Sequence, residues 1–438
     1  MPWRTPTRIV FRFVFCYFAL YCLYVFSFEE QIFKFALTGR FADTWVDLFW
    51  HHLVPWFATH ILRFAHPITV FSNGSGDTTY DYVLILFELL LAAVATLVWS
   101  ALDRTRPNYR RLHEWLRFVV RVLLAGAMLA YGMDKLIPVQ FGSMTLGRLA
   151  TRVGDLTPFR MLWTFMAASK SYTIFAGSAE VLAGLLLLIP RLTTLGALVA
   201  MAAMANVFAL NMSYDVPVKL FSLHFFLMAL FLVVPDAERL LSVLVLNRPA
   251  LPRESTPLSA RRWVNQTTVI LSTVLGLMFL ALLTKDSVKR YREENPPASA
   301  SRPALYGVWT VDEFAVSSDA SRPLFTTKLA SDLSLHPGED RWSELIVQRS
   351  DAAQIRLLNG VLDAVTLKLD ETRNRASISD PADPNWKCDF AYQPTGDQRL
   401  TMQGQINGDP VSMKLHRIDR PNSILMSRGF HWINERPF

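Results

Sequence analysis

Glu180, halfway along an otherwise apolar run, holds the most chemistry of any single residue in this chain. It lies in Phe175-Ala176-Gly177-Ser178-Ala179-Glu180-Val181-Leu182-Ala183-Gly184, where a carboxylate surrounded by lipid costs about 2.5–3.5 kcal/mol unless it is paired, protonated or wetted. It needs company. By depth along neighbouring runs, that company is Tyr131, Asp134 and Lys135; Asn206 and Asn211; Asp215 and Lys219; and His224, with Glu88 able to join from an earlier run. At a rise of about 1.5 Å per residue these fall on one side of the membrane. The spacing predicts one polar cavity, with Glu180 at its floor and Lys135, Lys219 and His224 around its mouth.

Two chemistries fit that cavity. In the first, Glu180 and His224 are the catalytic candidates, carrying protons beside a lipid-soluble ligand such as a quinone. Tyr131, Lys135, Asn206, Asn211, Asp215 and Lys219 then form the ligand-binding set, the lysine and asparagine donors facing its carbonyl oxygens. In the second, the cluster is structural: Glu180 is a protonated interhelical donor, His224 bonds a backbone carbonyl, and the lysines reach up to the headgroups.

Seven apolar runs must position these groups, at about 10–28, 82–102, 116–136, 172–189, 193–212, 219–234 and 264–284. With 51% hydrophobic and only 18% charged residues among 438, the chain falls outside the composition of an ordinary soluble enzyme. The runs read as membrane helices in a lipid bilayer. Arginines crowd the N-terminus (Arg4, Arg8, Arg12) and the second and sixth connections, which places those segments in the cytoplasm by the positive-inside rule. An odd number of spans then sends the polar tail outward, to the periplasm of a bacterial inner membrane. No small-residue cleavage site follows Phe28, so the first run reads as an uncleaved helix. The net charge of +7 is spread over membrane-flanking loops, which argues against a nucleic-acid partner. Cys16, Cys22 and Cys388 form no CxxC pair, which argues against thiol-disulfide exchange and a thiolate metal site.

The first outer loop, 29–81, is too long for a turn, and its stretch 45–66 has the helical spacing of an interfacial amphipathic helix. His51, His52, His60 and His66 read there as headgroup-level side chains, because adjacent histidines point to different faces of a helix. The segment Asn73-Gly74-Ser75-Gly76-Asp77 lacks a third glycine and a GK[ST] ending, so it reads as a turn and not as a phosphate loop. Thr78 or Asp77 is expected to cap the second span, with Asp81 completing a capping box.

The run Tyr131-Gly132-Met133-Asp134-Lys135-Leu136, the stretch from Phe175 through Glu180 to Pro190-Arg191, and Leu195-Gly196-Ala197 together resemble the four-helix core of the DoxX family, over about 116–235. Asn211-Met212-Ser213-Tyr214-Asp215-Val216-Pro217-Val218-Lys219-Leu220, followed by Ser222, His224 and Pro235-Asp236, looks like a bacterial branch with extra helices and a polar C-terminal domain. The resemblance implies a redox-associated membrane subunit working with a membrane or periplasmic redox partner, with Lys135 and Glu180 as the positions carried over. It names no reaction.

Beyond about Arg302 the pattern changes to period two: Trp386, Cys388, Phe390 and Tyr392; Val365, Leu367 and Leu369; Val411, Met413 and Leu415. These are half-buried antiparallel strands, joined as hairpins at Pro394-Thr395-Gly396 and Asn407-Gly408-Asp409. The fold class expected is therefore α + β: a seven-span helical bundle followed by an antiparallel β domain, either a lipocalin-like barrel able to hold a hydrophobic ligand or a packed sandwich that docks onto a partner. The organisation expected is an N-terminal two-helix region (1–115), a four-helix core (116–236), a cytoplasmic loop, seventh helix and linker (237–300, the linker at 295–301), and the β domain (301–438).

Overall fold

The computed structural model describes residues 2–38, 44–70, 74–251, 256–295, 302–316, 341–380, 383, 386–396, 398–418 and 423–428. Asn73 and nearly all of the Pro- and Ser-rich linker lie outside them. The helices are α1 (Thr5–Thr38), α2 (Trp45–His60), α3 (Thr79–Leu102), α4 (Arg110–Leu136), α5 (Leu146–Ala150), α6 (Pro158–Ala168), α7 (Lys170–Leu188), α8 (Thr193–Ser213), α9 (Lys219–Val233), α10 (Ala237–Leu244) and α11 (Arg262–Glu294). Among the described residues seven segments are long and apolar enough to cross a bilayer, and they coincide with the seven runs expected from the sequence. The chain is a multi-pass α-helical protein with a separate β domain.

Two compact units emerge, and their division departs from the one expected. The first comprises 1–142 and 169–294; the second joins 143–168 to 295–438. The connection between the third and fourth spans thus belongs to the β unit, although nothing in its own sequence pattern says so.

In the helical unit α4 is the axis. Of its apolar window 72% is buried, against 11% for α11, because its small residues Ala125, Gly126, Ala127 and Ala130 let neighbours close in. The longest departure from expectation is α1, which continues to Thr38, so Glu29 is helical and not the start of a loop. α2 follows as expected, its Thr44 and Asp47 forming a capping box. Asp47 also accepts from Ser27 (2.7 Å) and Gln31 (2.7 Å), tying α2 to α1. Although burial raises the Asp47 pKa, the hydrogen bonds from Thr44, Ser27 and Gln31 outweigh it and hold the carboxyl below its ordinary range. Trp45, Leu48, Phe49 and Trp56 face outward from α2, as an interfacial helix requires. His52 and His60 use their Nδ1 atoms on backbone oxygens one turn back.

The second unit is a closed barrel in which β1 (Gly307–Val316), β2 (Trp342–Arg349), β3 (Ala352–Leu357), β4 (Leu362–Asp370), β5 (Arg375–Ser379), β6 (Lys387–Pro394), β7 (Arg399–Ile406) and β8 (Asp409–Ile418) pair in chain order, β8 closing on β1. Barrel and not sandwich is the outcome. The hairpins fall where the turn residues predict, with Asn407 (φ 51°) and Gly408 (φ 93°) in the left-handed region that a type I′ turn needs. Inside, Trp342, Trp386, Phe390, Tyr392, Met402 and Met413 are all 2% exposed or less. Each large aromatic removes about 150–250 Å² from water, on the order of 4–6 kcal/mol at about 25 cal/mol/Å². These side chains form the core of the barrel.

On the outer wall of the same barrel, Leu146 and Ala150 of α5 pack against Val308 and Ile346. Buried Arg356 clamps the segment, donating to the Ala150 carbonyl (2.7 Å) and to Glu344 (3.0 Å), while the Leu146 N–H donates to Gln348 (2.9 Å). Hydrogen bonds from a buried guanidinium are among the stronger ones available.

Candidate functional site

Three glycines bring α4 and α7 together. A Cβ on Gly177 would lie 2.7 Å from the Gly132 carbonyl oxygen, one on Gly132 would lie 2.8 Å from the Val181 nitrogen, and one on Gly184 would lie 2.8 Å from Leu129. At that approach Lys135 reaches Glu180, Nζ to Oε2 at 2.7 Å, with side-chain exposures of 9% and 2%. The ammonium also faces the Tyr131 ring at 5.7 Å. Glu180 therefore has the partner its depth demands. The pair is closed on itself, however, and Glu180 is an ion-pair acceptor instead of an open cavity floor.

The other expected members divide among separate places. His224 is buried at α9, its Nε2 bonded to the Tyr17 hydroxyl of α1 and its Nδ1 on the Leu220 carbonyl at 2.6 Å; the Tyr21 ring stacks on it at 4.2 Å. Lys219 pairs with Asp215 (2.8 Å) and lies 3.7 Å from Asp77. Asn211 bridges the α8–α9 turn through Ser222 Oγ (3.0 Å) and the Val218 carbonyl (3.3 Å). Asn206 is exposed on the outer face of α8. Asp134 joins Ser287 (2.8 Å) and Arg290 of α11. One shared cavity with Lys219 and His224 at its mouth is thus corrected to an α4–α7 ion pair and an α1–α9 tyrosine-histidine pair. The physical reason is rotation: residues at one depth still point from their helices in different directions, and depth alone carries no azimuth.

Several positions escaped the sequence reading. Asp77 caps α9 and not α3, accepting from the Lys219 (2.7 Å) and Leu220 (2.9 Å) N–H groups, whereas Thr78 and Asp81 cap α3 as expected. Arg121 donates to the Leu187 (3.0 Å) and Leu188 (3.3 Å) carbonyls at the C-terminus of α7, the end where a cation is favoured. An arginine within an apolar run was the signal available for it.

Glu29 marks a concave feature of this unit. A groove of about 560 Å³ runs between α1, α4 and α11, walled by Phe26, Phe33, Phe118, Leu271, Leu275 and Phe279. Glu29 lines it, and its Oε1 is buried without a hydrogen-bond partner. A Cβ on Gly126 would lie 2.8 Å from the Glu29 Cδ, so that glycine makes the space the carboxyl occupies. Glu30, Thr267, Thr268 and Ser272 also line it, and mainly apolar walls with a few polar groups are the usual make-up of a small-molecule site. Among the described residues no group of His, Cys, Asp and Glu is arranged to hold a metal ion.

No family model matches the chain. A curated relative does: the uncharacterised protein YwoB of Bacillus subtilis (strain 168) is 33% identical over 123 residues, which are 28% of this chain and 78% of the relative. The chain belongs to the YwoB family. The greater part of its length lies outside that YwoB match, and no solved structure matches.

Proposed function

We propose that this chain is a DoxX-type protein of the bacterial inner membrane, its N-terminus cytoplasmic and its barrel periplasmic, that binds a quinone or another lipid-soluble ligand in the groove beside Glu29. The observation that carries this reading is the unpartnered Glu29 oxygen lining an apolar space of about 560 Å³. That volume lies within the usual range of about 300–1,000 Å³ for small-molecule pockets. A protonated carboxyl at that wall donates to a carbonyl oxygen, and the aromatic side chains receive a ring or an isoprenoid-like tail. With Arg110 cytoplasmic, the groove runs from mid-membrane at Gly126 toward the cytoplasmic side at Phe118, Leu188 and Thr267, and not into the outer half expected from the sequence. The closed Lys135–Glu180 pair supports a structural role for those two residues.

The barrel fits a docking role better than a carrier role, because its interior is occupied by its own side chains. In this scheme it recruits a periplasmic redox partner. The test is co-purification in native lipid particles, with bound lipid-soluble molecules identified by mass spectrometry. Wild type retains the ligand in near-stoichiometric amount; Gly126→Ala and Glu29→Gln lose most of it. Equal retention by both variants, or no retained molecule in wild type, overturns the reading.

A further inference from the structure

The groove between α1, α4 and α11 is lined by two acidic side chains and, among the described residues, by no basic one. Glu30 is already answered, pairing with Lys34 at 2.7 Å. Glu29 has no such partner among the described residues: its Oε1 is buried without a hydrogen bond, and its Cδ lies 2.8 Å from where a Cβ on Gly126 would stand. An ionised carboxyl in that wall is compensated only by a positive charge brought from outside the chain.

The rest of the lining suits such a charge. Phe26 and Phe33 stand three residues before and four after Glu29, on its face of α1, and Phe118 of α4 and Phe279 of α11 add two more rings. Aromatic faces are negative and attract organic cations. The Thr268 and Ser272 hydroxyls spend their hydrogens on the Val264 (2.7 Å) and Val269 (3.0 Å) carbonyls, so they offer the groove oxygen lone pairs only. Phe26, Phe33, Leu271 and Leu275 are exposed at the surface of the unit. The groove therefore opens sideways, where lipid-soluble molecules arrive.

We propose that the groove takes a lipophilic organic cation, bound in exchange for the Glu29 proton. The carboxyl O–H bond breaks, the proton leaves to water, and the cation takes its place beside the carboxylate. A cation site here rests on the groove being a ligand site and adds a second class of ligand to it: a quinone carbonyl needs the carboxyl protonated, whereas a cation needs it ionised. The other ionisable groups near Glu29 on α1 are Cys22, Glu30 and Lys34; α4, α7 and α11 bring only apolar and hydroxyl side chains to the lining.

The test uses full-length protein in nanodiscs of zwitterionic lipid, with empty nanodiscs as background. The probes are tetraphenylphosphonium, tetraphenylborate as an anion of the same shape, and a short-chain benzoquinone as a neutral ligand. Tetraphenylphosphonium is expected to bind saturably and to release a proton for each cation bound, while tetraphenylborate does not bind. Across about pH 4 to 9, which spans free and buried carboxyls, affinity for the cation rises and affinity for the quinone falls. Glu29→Gln lowers cation affinity at least about tenfold and removes its pH dependence. Saturable quinone binding without cation binding, or tetraphenylborate bound as tightly as tetraphenylphosphonium, overturns the cation site while the groove reading stands. If Gly126→Ala leaves cation and quinone bound as in wild type, the groove is not their site and both readings fall. Should Glu29→Gln fail to fold, the opposite pH trends and the proton release of wild type decide the question, and their absence overturns the cation site.

Discussion

The α4–α7 seam and the α1–α3–α9 seam each bury a glutamate in an apolar run, and they treat it in opposite ways. Glu180 is met by a lysine at 2.7 Å across a contact that glycines make close. Glu88 of α3 is fully buried, and neither of its oxygens has a hydrogen-bond partner among the described residues. A paired acid ties two helices together, whereas an unpaired one bears the cost of its burial alone. Residue type and depth are the same in the two cases. What differs is the face of the neighbouring helix, which brings a lysine to the first glutamate and none to the second.

The largest effect that would sharpen this contrast comes from breaking the clasp. Lys135→Met should cost about 3–5 kcal/mol by leaving Glu180 alone, while Lys135→Met with Glu180→Met should recover most of that loss. Equilibrium unfolding in mixed micelles measures it, and a double variant no better than the single one would refute the assignment. In the barrel, where Arg356 plays the clasping role, Arg356→Met should weaken attachment of 143–168 by about 2–3 kcal/mol. The readout is faster proteolytic cleavage within that segment while the barrel stays resistant; equal rates would count against the clamp.

A smaller loss tests the close approach itself. Gly177→Ala places a methyl group 2.7 Å from the Gly132 carbonyl oxygen and should cost about 1–3 kcal/mol as overpacking, visible as a lower melting temperature. An unchanged melting temperature would mean the seam is looser than described. The smallest effect is at Asp47, whose depressed pKa stabilises the α2 attachment above the unfolded value, near 3.9. That contribution is lost as pH falls through the still lower folded value. Tryptophan fluorescence of α2 should therefore report release below about pH 4, and Asp47→Asn should weaken docking by about 1 kcal/mol and remove the acid-side transition.

Much of the architecture was legible because its signals are local. Trp386, Cys388, Phe390 and Tyr392 alternate as barrel-facing residues, Thr78 and Asp81 cap α3, and Asn407-Gly408 turns β7 into β8. The candidate site was legible in part: the need of Glu180 for a partner, and Lys135 as one of several candidates at similar depth, follow from depth and charge. The carbonyl contact of His224 was also foreseen as the structural alternative. Glu29 was hidden because α1 outruns its apolar core by ten residues, up to Thr38, so a bundle-facing acid looked like the first residue of a loop. Asp77 was hidden because it caps a helix more than a hundred residues away.

By itself the amino-acid order determined the seven spans, the strand faces and the hairpin turns, since each depends on a period or a turn preference spelled out within a few residues. Only the tertiary structure decided that Glu180 is paired and Glu88 is not, that His224 turns to Tyr17, and that 143–168 joins the barrel. Those outcomes depend on how each helix is rotated about its axis and which neighbour it meets, and that is set by packing summed over the whole unit.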